Sequence, residues 1–275
     1  MKKNIFTAVL LCILSINLFA EGNLSKLFGN SEVFKLDPVT DGLLLGTGLT
    51  LSGTAILFDK VIKIKDTSFD GNLFDKNDVN PFDRVFMNPY SDSLHLVATG
   101  LVVVELLSPA ILAATSTNEW FTIGTMYAEA FLLSYGIKDT VKALVNRPRP
   151  YMYSEGYPQK KVDDGDWCKS WPSGHTTNAF LGAGFTSYVF CKYFPDSPWR
   201  FAVIGGTYAL AAATGILRIA SGNHFLTDVL TGAIIGTACG ILVPAIHYAN
   251  GRSAGKSSKS SIQASPLGVS FSVKL

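Results

Sequence analysis

Two histidines stand where an apolar chain has no packing use for them. His224 lies in the stretch RIASGNHFLTD, between Arg218 and Asp228, and His175 closes Trp171-Pro172-Ser173-Gly174-His175 at the mouth of an apolar run. On a helix, residues four apart share one face, so Asp228 can reach the His224 ring. A carboxylate on one imidazole nitrogen fixes the tautomer and leaves the other nitrogen free to act. Arg218, six residues earlier across the Gly222-Asn223 break, can fold back toward the same point. The bland alternative is a satisfied His–Asp pair in an apolar bundle.

Pro172-Ser173-Gly174-His175 has the makings of a helix start. The first N–H groups of a helix lack intrahelical partners and point outward, and the dipole there favours an anion. Gly174 permits close backbone approach, and Ser173 supplies either a ligand hydroxyl or an ordinary cap. A third cluster is KALVNRPRP, residues 142–150. Pro148 and Pro150 forbid a continuing helix, so Lys142 falls in the last turns and Arg149 in an extended segment beyond. Alone, basic residues near a helix C-terminus are explained by the dipole.

The elements that must position these residues are apolar runs at about 94–114, 120–145, 176–194, 200–217 and 225–248. Each is long enough to cross a bilayer, for which about 20 residues suffice. A weaker run, 42–58, is short and diluted by Gly, Ser and Thr. If the long runs are helices traversing one layer in succession, 142–150, 172–175 and 218–224 all emerge on one side. Lys142, Arg149 and Arg218 then meet in an apolar setting. Like charges about 4 Å apart cost on the order of 4 kcal/mol at an effective dielectric near 20, so the cluster needs an anion. A dianionic phosphate fits.

Composition supports this layout. Of 275 residues, 48% are hydrophobic and only 16% charged, against roughly 25% charged in an ordinary soluble domain; mean hydropathy is +0.27. Gly and Ala recur within the runs, which suits close helix approach in lipid, and the four tryptophans sit near run ends, where interfacial aromatics belong. The fold class expected is all-α, a multi-helix and mostly transmembrane bundle with its active site at the helix ends. A net charge of +2 gives no reason to invoke nucleic acid. The cysteines fall at no metal or redox spacing, and the Asp and Asn residues of 59–93 miss the calcium-loop spacing and read as turns. Nothing calls for a metal or another cofactor.

The organisation expected is an export signal over 1–20, with Lys2, Lys3, an apolar stretch 5–19 and Ala20 at the cut. A polar segment 21–93 containing the weak helix 42–58 follows, then a helical bundle over 94–250. Residues 251–275 form a Ser/Lys-rich tail whose end, LGVSFSVKL, alternates like a strand.

Lys142-x6-Arg149-Pro150, Pro172-Ser173-Gly174-His175 and Arg218-x5-His224-x3-Asp228 together resemble the three signature motifs of the type 2 phosphatidic acid phosphatase/haloperoxidase superfamily. The resemblance spans about 142–228. Leu217 stands where the family often has Ser before the third-motif Arg, which removes one hydroxyl contact. The resemblance implies a metal-independent lipid phosphatase working through a phosphohistidine. His224 would be the nucleophile oriented by Asp228, and His175 the acid and then the base. Lys142, Arg149, Ser173, Gly174 and Arg218 would bind phosphate. The implied partners are a phosphorylated lipid and the bilayer. The location expected is a bacterial inner membrane, with the site facing the periplasm if 42–58 lies alongside the bundle without crossing. The same motifs also occur in vanadium-dependent haloperoxidases and soluble periplasmic acid phosphatases. A transporter or structural membrane protein would leave the clustered cations unexplained.

Overall fold

The computed structural model describes residues 33–62, 64, 67–255, 260–265 and 268–273. The export-signal reading, with Cys12 and Ala20, lies outside them. Helix α1 is Pro38–Ile56, carried on by a π-helical turn Leu57–Ile62; α2 is a single turn, Pro81–Arg84. α3 is Asp92–Leu107, extended as 3-10 helix to Ala114; α4 is Trp120–Leu144 and α5 the short Gln159–Asp163. α6 is Gly174–Tyr193, α7 Trp199–Ala220 and α8 Leu226–Gly255.

Helix ends follow from side chains that take up orphaned N–H groups and from residues that cannot continue. Asp37 accepts from the Thr40 N–H ahead of Pro38 at the start of α1, Ser91 caps α3 and Ser173 caps α6. α4 stops at Val145, two residues before Arg147-Pro148. Gly222 turns the chain between α7 and α8 at φ +66°, and a Cβ there would lie 2.4 Å from the Asn88 carbonyl oxygen. Only glycine meets both demands.

The six long helices alternate in direction across one layer. At one end Ser91 N–H donates to Ser221 O (3.2 Å), Tyr151 N–H to Gly222 O (3.1 Å) and Ser173 N–H to Asp228 O (3.0 Å). At the other, Lys35 N–H donates to His247 O (3.1 Å), and the Tyr193 hydroxyl to Glu119 (2.6 Å). α6 is central and packs against α3, α7, α8 and, less, α4, while α1 lies along α4. The α6–α8 contact is close because Gly232, Gly236 and Gly240 recur every four residues. A Cβ on them would meet the carbonyl oxygens of Ser173, Thr177 and Leu181 at 2.7, 2.1 and 2.6 Å. Small residues at this spacing let two helix backbones touch.

Four helices are long and apolar enough to cross a membrane: Pro38–Ile62, Asp92–Ala114, Trp199–Ala220 and Leu226–Gly251. They turn Leu96, Val103, Leu107, Phe201, Ile216, Ile234 and Leu242 outward. So large an apolar exterior is an interaction surface, here for lipid; the chain is a membrane protein.

Three expectations change. The run at 42–58 is no weak helix, because the Asp37-Pro38 start lengthens it to 25 residues, enough to cross. The runs at 120–145 and 176–194 do not meet the same standard. α4 carries Glu129, Lys138, Asp139 and Lys142, and α6 is rich in Ser and Thr, polarity they keep by lying among the other helices. Of the tryptophans, Trp120 and Trp199 are exposed (50% and 70%) as an interfacial anchor requires, whereas Trp167 is buried with Tyr153, Phe225 and Phe74. In the Ser/Lys-rich tail, strand β2 (Gly268–Val273) pairs antiparallel with β1 (Ser260–Ser265). That hairpin is the exception to an otherwise helical fold among the described residues.

Candidate active site

The ends of α4, α6 and α7 and the start of α8 converge, and all eight residues singled out from sequence lie there. His224 is buried in the turn between α7 and α8. Its Nε2 lies 3.0 Å from Arg149 NH1. A guanidinium can only donate, so Nε2 is the acceptor and the ring proton sits on Nδ1. That nitrogen faces Asp228 Oδ2 at 3.4 Å. The tautomer is therefore the one the His–Asp spacing called for. Burial first, then the charges of Arg149, Arg218 and Lys142, hold the His224 ring well below the usual histidine range, so it is neutral.

Arg149 is held in place by neighbours on three sides. It donates to Asn223 O (2.9 Å), to Asp166 O (2.9 Å) and to the Asp166 carboxylate (2.7 Å). Burial opposes its charge, but the Asp166 carboxylate outweighs that and keeps it charged. Arg218, 2% exposed, hydrogen-bonds to His95 Nδ1, while its Nε is buried without a hydrogen-bond partner among the described residues. Lys142 Nζ donates to Lys169 O (3.0 Å).

Ser173 resolves toward capping: its hydroxyl meets Thr176 Oγ1 (2.9 Å) and accepts from the Thr176 N–H (3.5 Å). The Gly174 position lies against Lys138 and Lys142, a Cβ there sitting 3.5 and 3.8 Å from their side-chain carbons. His175 Nε2 is 3.1 Å from Thr99 Oγ1. The Thr99 proton is committed to the His95 carbonyl (2.9 Å), so Nε2 donates and Nδ1 is the open nitrogen.

Several residues at this site were not singled out from sequence. Arg147 bonds Asp228 Oδ1, Asp83 Oδ2 (2.6 Å) and Thr227 Oγ1 (2.8 Å), and lies 4.4 Å over the Phe225 ring. Asp83 in turn accepts from the Thr227 N–H (2.9 Å) and hydroxyl (2.7 Å). Ser170 donates to Asp228 Oδ2 (2.5 Å). His95, its ring 5.7 Å from that of His175, bridges to Arg218. The segment 59–93, read only as turns, thus supplies Asp83, which reaches Asp228 through Arg147. In the loop 151–170, Tyr151, Met152, Tyr153, Trp167 and Cys168 form a buried floor. Its Lys161 reaches Asn223 Oδ1 (3.3 Å), and burial, then Arg149, lowers that lysine to about 8.

The chain is similar to known proteins over this region. It is 42% identical over 79 residues to a lipid A 1-phosphatase of Porphyromonas gingivalis, covering 29% of this chain and 16% of that one. It is 32% identical over 141 residues to lipid phosphate phosphatase 1 of Arabidopsis thaliana, covering 43% and 41%. The match thus spans less than half the length of either relative. A crystal structure of LpxE from Aquifex aeolicus aligns with 62% of this chain and 98% of that one, at 23% identity and a TM-score of 0.43. The profile of the PAP2 superfamily matches residues 123–252, a segment that holds every residue proposed from the motifs. Over that segment the chain is similar to the PAP2 superfamily.

Proposed function

We propose that this protein is a lipid phosphatase that hydrolyses a lipid-linked phosphate monoester or diphosphate without a metal, through a phosphohistidine. The observation that carries the reading is the neutral His224 ring, its Nε2 lone pair turned to Arg149, beside a buried Arg218 whose Nε has no partner. A phosphate there would receive the Arg218 donor and replace the ring as the partner of Arg149.

In the first step the Nε2 lone pair forms a P–N bond as the P–O bond to the lipid breaks. Burial and then Arg218 hold the empty-site His175 ring down to about 2, so it takes up a second proton, on the open Nδ1, only with the anionic substrate bound, and it gives that proton to the departing oxygen. In the second, His175 takes a proton from water, the water oxygen attacks phosphorus, and the P–N bond breaks to release phosphate. Arg149, Arg218, Lys142 and the start of α6 would hold the equatorial oxygens, where phosphoryl transfer depends on electrostatic positioning. Asp228 holds the His224 tautomer, itself fixed by Arg147, Ser170 and the Phe225 N–H. Phosphate release from a panel of phosphatidic acid, phosphatidylglycerol phosphate, undecaprenyl diphosphate and phosphorylated lipid A tests this reading. Acid-labile, base-stable radiophosphate on the protein is expected with a labelled substrate. Turnover that survives in His224→Ala would overturn the mechanism. The names of the two relatives favour phosphorylated lipid A and related lipid phosphates.

The location proposed is a bacterial inner membrane. A periplasm-facing site requires residue 33 on the cytoplasmic side, because α1 runs from the end opposite the site to the site end. An export signal that delivered residue 33 to the periplasm would turn the site inward, so those two expectations exclude each other once α1 crosses. Labelling a cysteine at Ser68 with an impermeant reagent on spheroplasts decides: reaction supports the periplasmic facing, and protection overturns it.

A further inference from the structure

The end of the bundle opposite the catalytic pocket holds a second cluster for which the proposed hydrolysis has no use. Asp41 in the first turn of α1, Glu129 in α4 and His247 late in α8 are all buried, and one ligand-capable atom from each lies within 4.8 Å of the others. The main chain of Lys35 grips His247 twice. Its N–H donates to the His247 carbonyl (3.1 Å), and its own carbonyl lies 3.1 Å from Nδ1. A carbonyl only accepts, so Nδ1 carries a proton. Nε2 is thereby the nitrogen presented to Glu129 Oε2, at 2.7 Å.

The carboxylates are left wanting. Both oxygens of Asp41 and Oε1 of Glu129 are buried with no hydrogen-bond partner among the described residues. The ionisable groups that act most strongly on Asp41 are Glu129 and His247. Nε2 and Glu129 Oε2 at 2.7 Å need a proton or a cation between them; without one the cluster carries two negative charges inside an apolar bundle. Buried charge of one sign persists only when a counter-ion or proton joins it.

We propose that Asp41, Glu129 and His247 bind a divalent first-row cation of the zinc or manganese class, which ties α1 to α4 and α8. One imidazole and two carboxylates form a mixed nitrogen and oxygen donor set that suits such ions. A backbone carbonyl behind Nδ1 is how metal-bound histidines are oriented. A divalent ion brings the cluster to neutrality. The ion is structural: His247 lies about 28 Å along α8 from Asp228, at 1.5 Å per residue. It adds to the packing of α1 on α4, where Gly136 approaches Gly48 and Leu51 and the Thr140 hydroxyl donates to Leu51 O (3.0 Å). The proposal does not rest on the phosphatase reading.

The test uses the full chain in detergent, stripped with a chelator and reloaded with Zn²⁺ or Mn²⁺. About one ion per chain is expected on the parent and on His224→Ala, and about tenfold less on Asp41→Asn and Glu129→Gln. The thermal midpoint should rise with metal in the parent and stay put in those two variants. On the parent alone, bound Mn²⁺ should show magnetic coupling to one imidazole nitrogen, a readout independent of whether any variant folds. Equal metal on parent and variants, no imidazole coupling, or a midpoint that follows pH but ignores metal would overturn the proposal in favour of protons filling the cluster.

Discussion

At the site end, α4, α6 and α7 with the loop after α4 bring Lys142, Arg149 and Arg218 around the neutral ring of His224. At the opposite end, α1, α4 and α8 bring Asp41 and Glu129 around the ring of His247. Both rings are buried, and each has one nitrogen turned to a fixed acceptor and the other to a charged group. The charge around them leans to opposite signs. At the site end Asp166 pairs with Arg149, yet Arg218 Nε is buried without a hydrogen-bond partner among the described residues, and at the far end the same holds for both oxygens of Asp41. Buried polar atoms left so are costly, and on the two proposals each end is completed from outside the chain. What differs is what the completing group does. On the proposed mechanism an anion at the first end is consumed, because His224 and His175 face it. A cation at the second would stay, because nothing there can react with it.

The largest expected effect is His224→Ala, which should cut phosphate release by about 10⁴-fold or more, the loss typical of a nucleophile, while far-end metal content is unchanged. Arg149→Ala should lower kcat by about 10²–10³-fold, as when one preorganised donor to a transition-state oxygen is removed. Steady-state kinetics on a lipid phosphate measures both. Arg147→Met touches no substrate and should cost about 10–100-fold through misplaced Asp228. It should also lower stability, since Asp83 and Asp228 would keep buried carboxylates without their shared cation. Arg147→Lys should restore part of the stability and less of the rate, because one ammonium cannot bridge two carboxylates as a guanidinium does.

A smaller effect concerns pH. The folded His224 pKa lies below its unfolded value, so below about pH 6.5 the unfolded chain binds a proton that the folded chain refuses. Stability therefore rises as pH increases through that range, and His224→Gln should flatten this part of the thermal-midpoint profile. Orthovanadate or tungstate should also flatten it, by supplying the missing anion. The smallest effect is Asp41→Asn, which should leave turnover within about twofold when the protein is assayed folded, as expected for sites too far apart to share partners. A large loss of turnover at constant stability would break the separation of the two ends.

The convergence of the eight candidate site residues was legible because they are tied to helix ends. Pro148 and Pro150 stop α4, Ser173 starts α6 and Gly222 reverses the chain after α7, so punctuation and chemistry coincide in sequence. Arg147 was in plain view two residues before Arg149, yet its role depends on Asp83, a residue 144 positions from the Thr227 with which it also bonds. His95 read as part of an apolar run, although it is one of only four histidines. The far-end cluster was invisible for the same reason: Glu129 and His247 lie 118 residues apart and neither stands in a motif. Helix α1 was underestimated because Gly and Thr dilute its hydropathy, while Gly48, which brings it against α4, is one of those same diluting residues.

The glycine row on α8 has a consequence for how this protein tolerates its surroundings. With Gly232, Gly236 and Gly240 seated on α6 carbonyls, and Ser173 N–H bonded to Asp228 O, α6 and α8 behave as one rod near the reacting groups. A bilayer that thins, thickens or changes composition will lean on the outer helices first, as they absorb mismatch by tilting. α8 itself faces lipid through Ile234 and Leu242, so such strain reaches the rod as a whole, while the row of glycines keeps His175 and His224 moving together.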